Sequence, residues 1–179
     1  MSEHEIYSPM PSISDKCRIQ STLERALERH AAHPVLKPTY NPTLLARAPN
    51  IASDIAFFLQ CDEATWQSHP AHTALLLSCP EPEYTTHLQA LADSADPSLL
   101  LAHAYVRYLG DLSGGQIIRR RVAKAYGIDM KSSKGVKFYE FKNLEGTRSG
   151  TVGDFKKIKE WYRTGMNVGT GDNERLKGK

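Results

Sequence analysis

The sequence predicts an all-α fold, on three observations. Apolar residues recur at three- and four-residue spacing through most of the chain. Prolines, glycines and capping side chains cut it into segments of helical length. No run alternates apolar and polar residues as a half-buried strand requires.

Residues 1–14 are polar and carry Pro9 and Pro11, so a disordered lead-in is expected there. Ser14 and Asp15 are capping types ahead of a helix over 16–30, where Ile19, Leu23, Ala26 and Leu27 share a face. Pro34, Pro38 and Pro42 then impose an extended connector that includes Tyr40. Short helices are expected over 43–48 and 51–60, the second burying the run IAFFL. Pro70, Pro80 and Pro82 frame a loop before a helix over 83–92. Asp96 as a cap and Pro97 at the first helical position open the longest element, which runs to a natural stop at Gly127. Residues 128–150 form a loop around VKFYEF, and Asp154 caps a last helix to Met166 with Phe155, Ile158 and Tyr162 inside. The expected organisation is a lead-in over 1–14, one helical domain over 15–173 and a polar tail over 174–179.

Composition narrows the function. At 179 residues with 40% hydrophobic and 24% charged residues, the chain has the size and balance of one globular domain. A net charge of +3 is too small for a nucleic-acid platform. The run Arg119–Arg120–Arg121 cannot share a helix face and lacks interleaved aromatics, so no nucleic-acid partner is expected. No stretch of 18 apolar residues is present and the N-terminus has no apolar signal-like run, so no membrane span is expected. Cys17, Cys61 and Cys79 have no metal or disulfide spacing and read as reduced thiols of a cytoplasmic protein. His69 and His72 flank Pro70 without carboxylate neighbours; no metal site is expected from protein ligands.

The chemistry concentrates in the long helix. Gly110, Gly114 and Gly115 lie inside it, each costing ~1 kcal/mol relative to alanine. At ~100° per residue, His103, Arg107, Gly110, Asp111 and Gly114 fall within one arc, with Ala102, Tyr105, Val106, Leu109 and Leu112 opposite as the core face. Two readings fit: a kinked, solvated face with an Arg107–Asp111 pair, or a platform on which a flat ligand meets the backbone. In the last helix Lys156, Lys159 and Arg163 form a basic stripe, either solvated or awaiting an anion.

The stretch AHAYVRYLGDLSGGQ, residues 102–116, closely resembles the signature helix of heme oxygenases, and the likeness extends through PVLKPTYNPTLL, DIAFFL and FKKIKEWYRTGMN, from about Leu23 to Asn173. The resemblance implies a single-domain heme oxygenase-like helical bundle lacking the family's first (proximal) and last helices. It implies heme as both cofactor and substrate, with O2 and electrons from a reductase yielding biliverdin, carbon monoxide and ferrous iron. Asp111 matches the distal carboxylate that holds a water, and Gly110 and Gly114 match the glycines whose backbone packs over the heme. Arg107 and Tyr40 resemble members of the distal hydrogen-bond network, while Tyr105, Lys159 and Arg163 match positions that contact the propionates. The family's proximal histidine lies upstream of the matching region, where His4 is the one histidine present. The alternative implied is a heme-binding or interaction protein of the same fold that does not turn heme over. Family members act in the cytoplasm or at the cytosolic face of the endoplasmic reticulum. Apolar residues that further helices would cover are expected to promote self-association.

Overall fold

A computed structural model describes residues 10–78 and 83–171. Its helices are α1 (Met10–Arg29), α2 (Pro42–Leu45), α3 (Ala48–Leu59), α4 (Pro70–Ser78), α5 (Glu83–Asp93), α6 (Leu100–Ser113), α7 (Gly115–Ala125) and α8 (Val152–Thr170). Among the described residues the only β pairing is an isolated bridge between Lys142 and Ser149. The all-α expectation holds.

Several boundaries differ from the sequence reading, each for a local reason. α1 begins at Met10, so Ser14 and Asp15 lie within the helix, and 10–14 are helical where disorder was expected. Ser14 is buried there, and Ile13 packs on the core. The segment 34–41 is a series of turns with a 3-10 turn at Lys37–Thr39, more compact than an extended connector. Pro70 opens α4 at the first helical position, a role in which its missing N–H costs nothing, where a loop was expected. At the last helix the cap is Thr151, and Asp154 is its partner in a reciprocal capping box. Asp154 also pairs with Arg148 at 2.8 Å, and its hydrogen bonds hold its carboxyl below the usual range. The polar tail over 174–179, His4 and Cys79 lie outside the described residues.

α1 is the central beam, packing on α5, α3 and α6, while α8 lies across α6 and the 3-10 turn Lys37–Thr39. One core joins Leu23, Leu36, Leu88, Leu100, Ile158 and Tyr162. A second joins Ile51, Ile55, Phe58, Trp66, Val136 and Phe138. Between them sits a polar joint. Glu24 on α1 accepts the main-chain N–H groups of Arg47 at 2.5 Å and Ala48 at 3.1 Å, capping the otherwise orphaned start of α3. Arg47 itself is only 4% exposed. Its guanidinium donates to the carbonyls of Leu44, Leu45 and Glu140 and lies 4.2 Å from the Phe141 ring centroid. That cation ties α2, α3 and the 140s loop together by saturating its donors on carbonyls.

α8 reaches its neighbours through glycine. A Cβ on Gly165 would lie 2.7 Å from the Pro38 carbonyl oxygen and 2.9 Å from Thr39 Cγ2. Gly165→Ala gains ~1 kcal/mol of helix propensity, yet the obstacle is main chain that cannot swing aside, so displacing it falls at the upper end of the overpacking range, ~2–3 kcal/mol. A net loss of about 1–2 kcal/mol is expected by urea unfolding; an equally stable variant contradicts the close approach of α8 to this turn.

Candidate functional site

The expected long helix is divided at Gly114. α6 ends at Ser113 and α7 starts at Gly115, with Gly114 remaining in right-handed helical geometry between them. The N–H groups of both Ile117 and Ile118 converge on the Gly114 carbonyl, at 3.0 and 3.2 Å, which tightens the chain there. Gly127, with φ of +61°, follows the end of α7 as a left-handed residue.

The buried face of α6 is Leu101, Ala104, Tyr108, Leu109 and Leu112. Ala102 and Val106, expected in the core, are exposed, and Tyr105 is half-buried. Apolar side chains encircle this helix, so periodicity alone misplaced the buried stripe by about one residue; packing of α6 on α1 and α8 decides it. The opposite face is bare. A Cβ on Gly110 would meet nothing within 4 Å, and one on Gly114 only its own helix's Gly110 carbonyl at 3.8 Å. Val106, 67% exposed, and Ile117, 51% exposed, extend this stripe in either direction. Among the described residues none needs the space these glycines leave. Gly115 differs: it is buried against the Tyr139 ring, 3.0 Å from a Cβ placed there.

Lys159 on α8 donates to Ser113 Oγ at 3.3 Å, which brings its ammonium to the end of the bare stripe. Arg163, one turn further along α8, is exposed, and Tyr105 lies against Tyr162 with ring centroids 6.3 Å apart. Arg107 and Asp111 turn toward α1. Arg107 donates to Gln20 Oε1 at 3.4 Å, and its Nε is buried without a partner. Asp111 Oδ2 is likewise buried and unpartnered. Burial pushes the Asp111 carboxyl up to about 6, against the opposing fields of Arg107, Lys16 and Arg47.

Tyr40 is not in this cluster. It lines a cavity of about 310 Å³ with Glu24, Glu28, Tyr108 and Tyr162, which neither Arg107 nor Asp111 borders. The side chain from α1 that stands beside Arg107 is Gln20. Lys16 and Gln20 were missed as neighbours of Asp111 and Arg107, and Arg47 as the buried cation that braces the fold beside them. The first two had a signal: with Glu24 they form an i, i+4, i+8 polar stripe on an otherwise apolar helix face. His103 also leaves the cluster, its Nδ1 2.6 Å from the Tyr84 hydroxyl.

The chain has known relatives. The family model described as heme oxygenase matches residues 13–176, and the chain belongs to the heme oxygenase family. Heme oxygenase 1 of Homo sapiens is 35% identical over 150 residues, covering 83% of this chain and 46% of that protein. Heme oxygenase 1 of Bos taurus is 34% identical over 150 residues, covering 84% and 46%. The solved structure of heme oxygenase-2 from Synechocystis sp. PCC 6803, in complex with heme and NO, matches with a TM-score of 0.76 and 28% identity, over 99% of this chain and 64% of that one. The chain thus spans about half the length of the curated relatives it matches. Among the described residues no helix is long and apolar enough to cross a membrane.

The Asp111 carboxyl makes a stability prediction. Its folded midpoint of about 6 lies above the unfolded value of ~3.9, so protonation favours the fold. Its contribution is full below about pH 4 and is lost as pH rises through 6. Asp111→Asn, relative to its effect at pH 4, should stabilise the protein at pH 7 by on the order of 1–3 kcal/mol. Urea unfolding across that pH range checks this; parallel curves for variant and wild type contradict it.

Proposed function

We propose that the protein binds heme against the bare stripe of α6 and opens the ring oxidatively to biliverdin, carbon monoxide and ferrous iron, using O2 and electrons from a reductase. The observation that carries this reading is the unused space at Gly110 and Gly114. Each interior glycine lowers helix stability by ~1 kcal/mol, and no described residue recovers that cost by packing there. A flat apolar disc does. Val106 and Ile117 give it apolar neighbours, and Tyr105, Lys159 and Arg163 supply a polar rim for its carboxylates.

Heme, when bound, supplies the iron that activates dioxygen and the ring that is consumed. The chain's residues do the rest. Gly110 and Gly114 keep side chains out of the space above the ring. Asp111 Oδ2 and Arg107 Nε, buried and unpartnered, call for ordered water between them and the open face. Through such water Asp111 moves protons to the reacting end of the site, and a carboxyl titrating near 6 is poised for both giving and taking. Arg107, fixed by Gln20, orients the same water. Lys159, tethered to Ser113, fixes how the disc lies in its plane.

A second reading, heme binding without turnover, draws on the histidines. His30 Nε2 is 2.7 Å from the Ala92 carbonyl, and His103 is bound to Tyr84. His33 and His69 accept from nearby main-chain N–H groups, His72 lies on Trp66, and His87 lies on His103. An axial imidazole added from solution therefore belongs in the test of this reading.

Hemin titration followed by reductant and O2 separates the readings. Saturable binding with biliverdin release supports ring opening; binding without product, even with added imidazole, supports the second reading; absence of saturable binding removes both. Gly110→Leu should weaken hemin binding at least ~10-fold, by filling space reserved for ligand. Asp111→Ala should retain binding and lose on the order of 100-fold in biliverdin formation; an unchanged rate rejects its role in proton transfer.

A further inference from the structure

α1 carries a second polar face, turned away from the one that meets Arg107. At ~100° per residue, Ser14, Arg18, Ser21, Thr22 and Arg25 fall within one arc, roughly opposite Lys16, Gln20 and Glu24. That face is one wall of a cleft of about 500 Å³. Trp66 and Gln67 of the 3-10 turn Trp66–Ser68, with His72 and Leu76 of α4, form the other wall. The volume lies in the range of small-molecule sites, ~300–1,000 Å³. No residue of the bare α6 stripe borders it.

The α1 wall is cationic. Arg18 and Arg25 stand two turns apart, ~10 Å along the helix axis. Among the described residues no carboxylate lines the cleft. Asp15, 3.8 Å from Arg18, lies outside it, and Glu24 is engaged by the main chain of Arg47 and Ala48. Arg25 is steadied along the wall, donating to the Ser21 carbonyl at 3.3 Å and to Thr22 Oγ1 at 3.4 Å, with further N–H groups left over. The Ser21 hydroxyl has only a weak contact, 4.0 Å from Cys17 Sγ.

Two arginines on a helix face ordinarily stay solvated, and the second wall argues against that here. His72 is 6% exposed, its ring edge-on to Trp66 with centroids 4.8 Å apart. Its Nδ1 is buried without a partner, and no hydrogen bond joins the ring to another described residue. A buried polar group left unsatisfied costs ~1–3 kcal/mol, and such groups persist where a ligand or ordered water meets them. A neutral imidazole has one N–H to give, so His72 complements an anion held by the arginines. A bare anion would leave Leu76, 37% exposed, and the Trp66 side of the cleft uncovered. A purely apolar ligand would strip water from two cations without compensation. The cleft suits a ligand with both characters.

We propose that this cleft is a second ligand site, taking a small aromatic anion. Its charged group is held by Arg18 and Arg25, its ring packs against Trp66 and Leu76, and His72 donates to it. The site is independent of heme binding and of ring opening.

Phenyl phosphate is the probe, titrated into ¹⁵N-labelled protein while the Trp66 indole and His72 ring resonances are followed. Saturable shifts at both residues are expected, with inorganic phosphate and phenol each binding at least ~10-fold more weakly. Arg18→Gln and Arg25→Gln should each weaken phenyl phosphate by at least ~10-fold. Arg120→Gln, which removes an exposed charge on α7, should leave its binding unchanged. If Arg18→Gln does not melt cooperatively, Arg25→Gln, a change at an exposed side chain, carries the expectation alone. Three results overturn the proposal: inorganic phosphate or phenol binding as tightly as phenyl phosphate, an equal loss in Arg120→Gln, or Trp66 and His72 resonances unmoved up to the solubility limit of the probe.

Discussion

One helix that must be packed on one side and naked on the other governs this structure. α6 can leave main chain open at Gly110 and Gly114 only because its remaining circumference is clamped by Leu101, Ala104, Tyr108 and Leu112. A helix weakened by interior glycines does not hold itself straight by propensity; tertiary packing has to supply what the residues forgo. α1 and α8 provide that packing, and both are fastened by devices outside the site. Glu24 and Arg47 lock α1 to the start of α3, and Gly165 lets α8 settle against the main chain of Pro38.

The polar groups near the bare stripe follow the same trade. Asp111 and Arg107 each keep a buried atom unpartnered, and Asp111 carries a charge its surroundings resist. Such features lower stability and persist where a ligand or its water requires them. Asp54 shows the contrast. It is also pushed up to about 6 by burial, but both its oxygens accept main-chain N–H groups, of Lys137 and Phe138 at 2.8 Å each, and it serves to fix a turn. Two acids with similar displacement thus have different meanings, and the hydrogen-bond inventory tells them apart.

The sequence made the helices and the glycine face legible because both rest on local spacing. Cap, proline and glycine signals located most elements, and residues 102–116 announced the family. What escaped it depends on tertiary contact. The buried stripe of α6 was off because Tyr105, Val106 and Tyr108 are all plausible core residues until α1 and α8 choose among them. Tyr40 was grouped with Arg107 in one hydrogen-bond network by likeness; it lines a separate cavity, and Gln20 from α1 is the residue that meets Arg107. Arg47 has an arginine's ordinary appearance in sequence, and nothing local reveals that three carbonyls and a ring enclose it.

A porphyrin resting on bare backbone leaves a signature that no surface adsorption mimics. With diamagnetic zinc protoporphyrin as the probe, intermolecular NOEs should connect the ring's meso protons to the Hα protons of Gly110 and Gly114, since glycine presents an Hα where any other residue would present its side chain. NOEs confined to other helices, or their absence with saturable binding, would contradict the assignment of that stripe as the place where the ring lies.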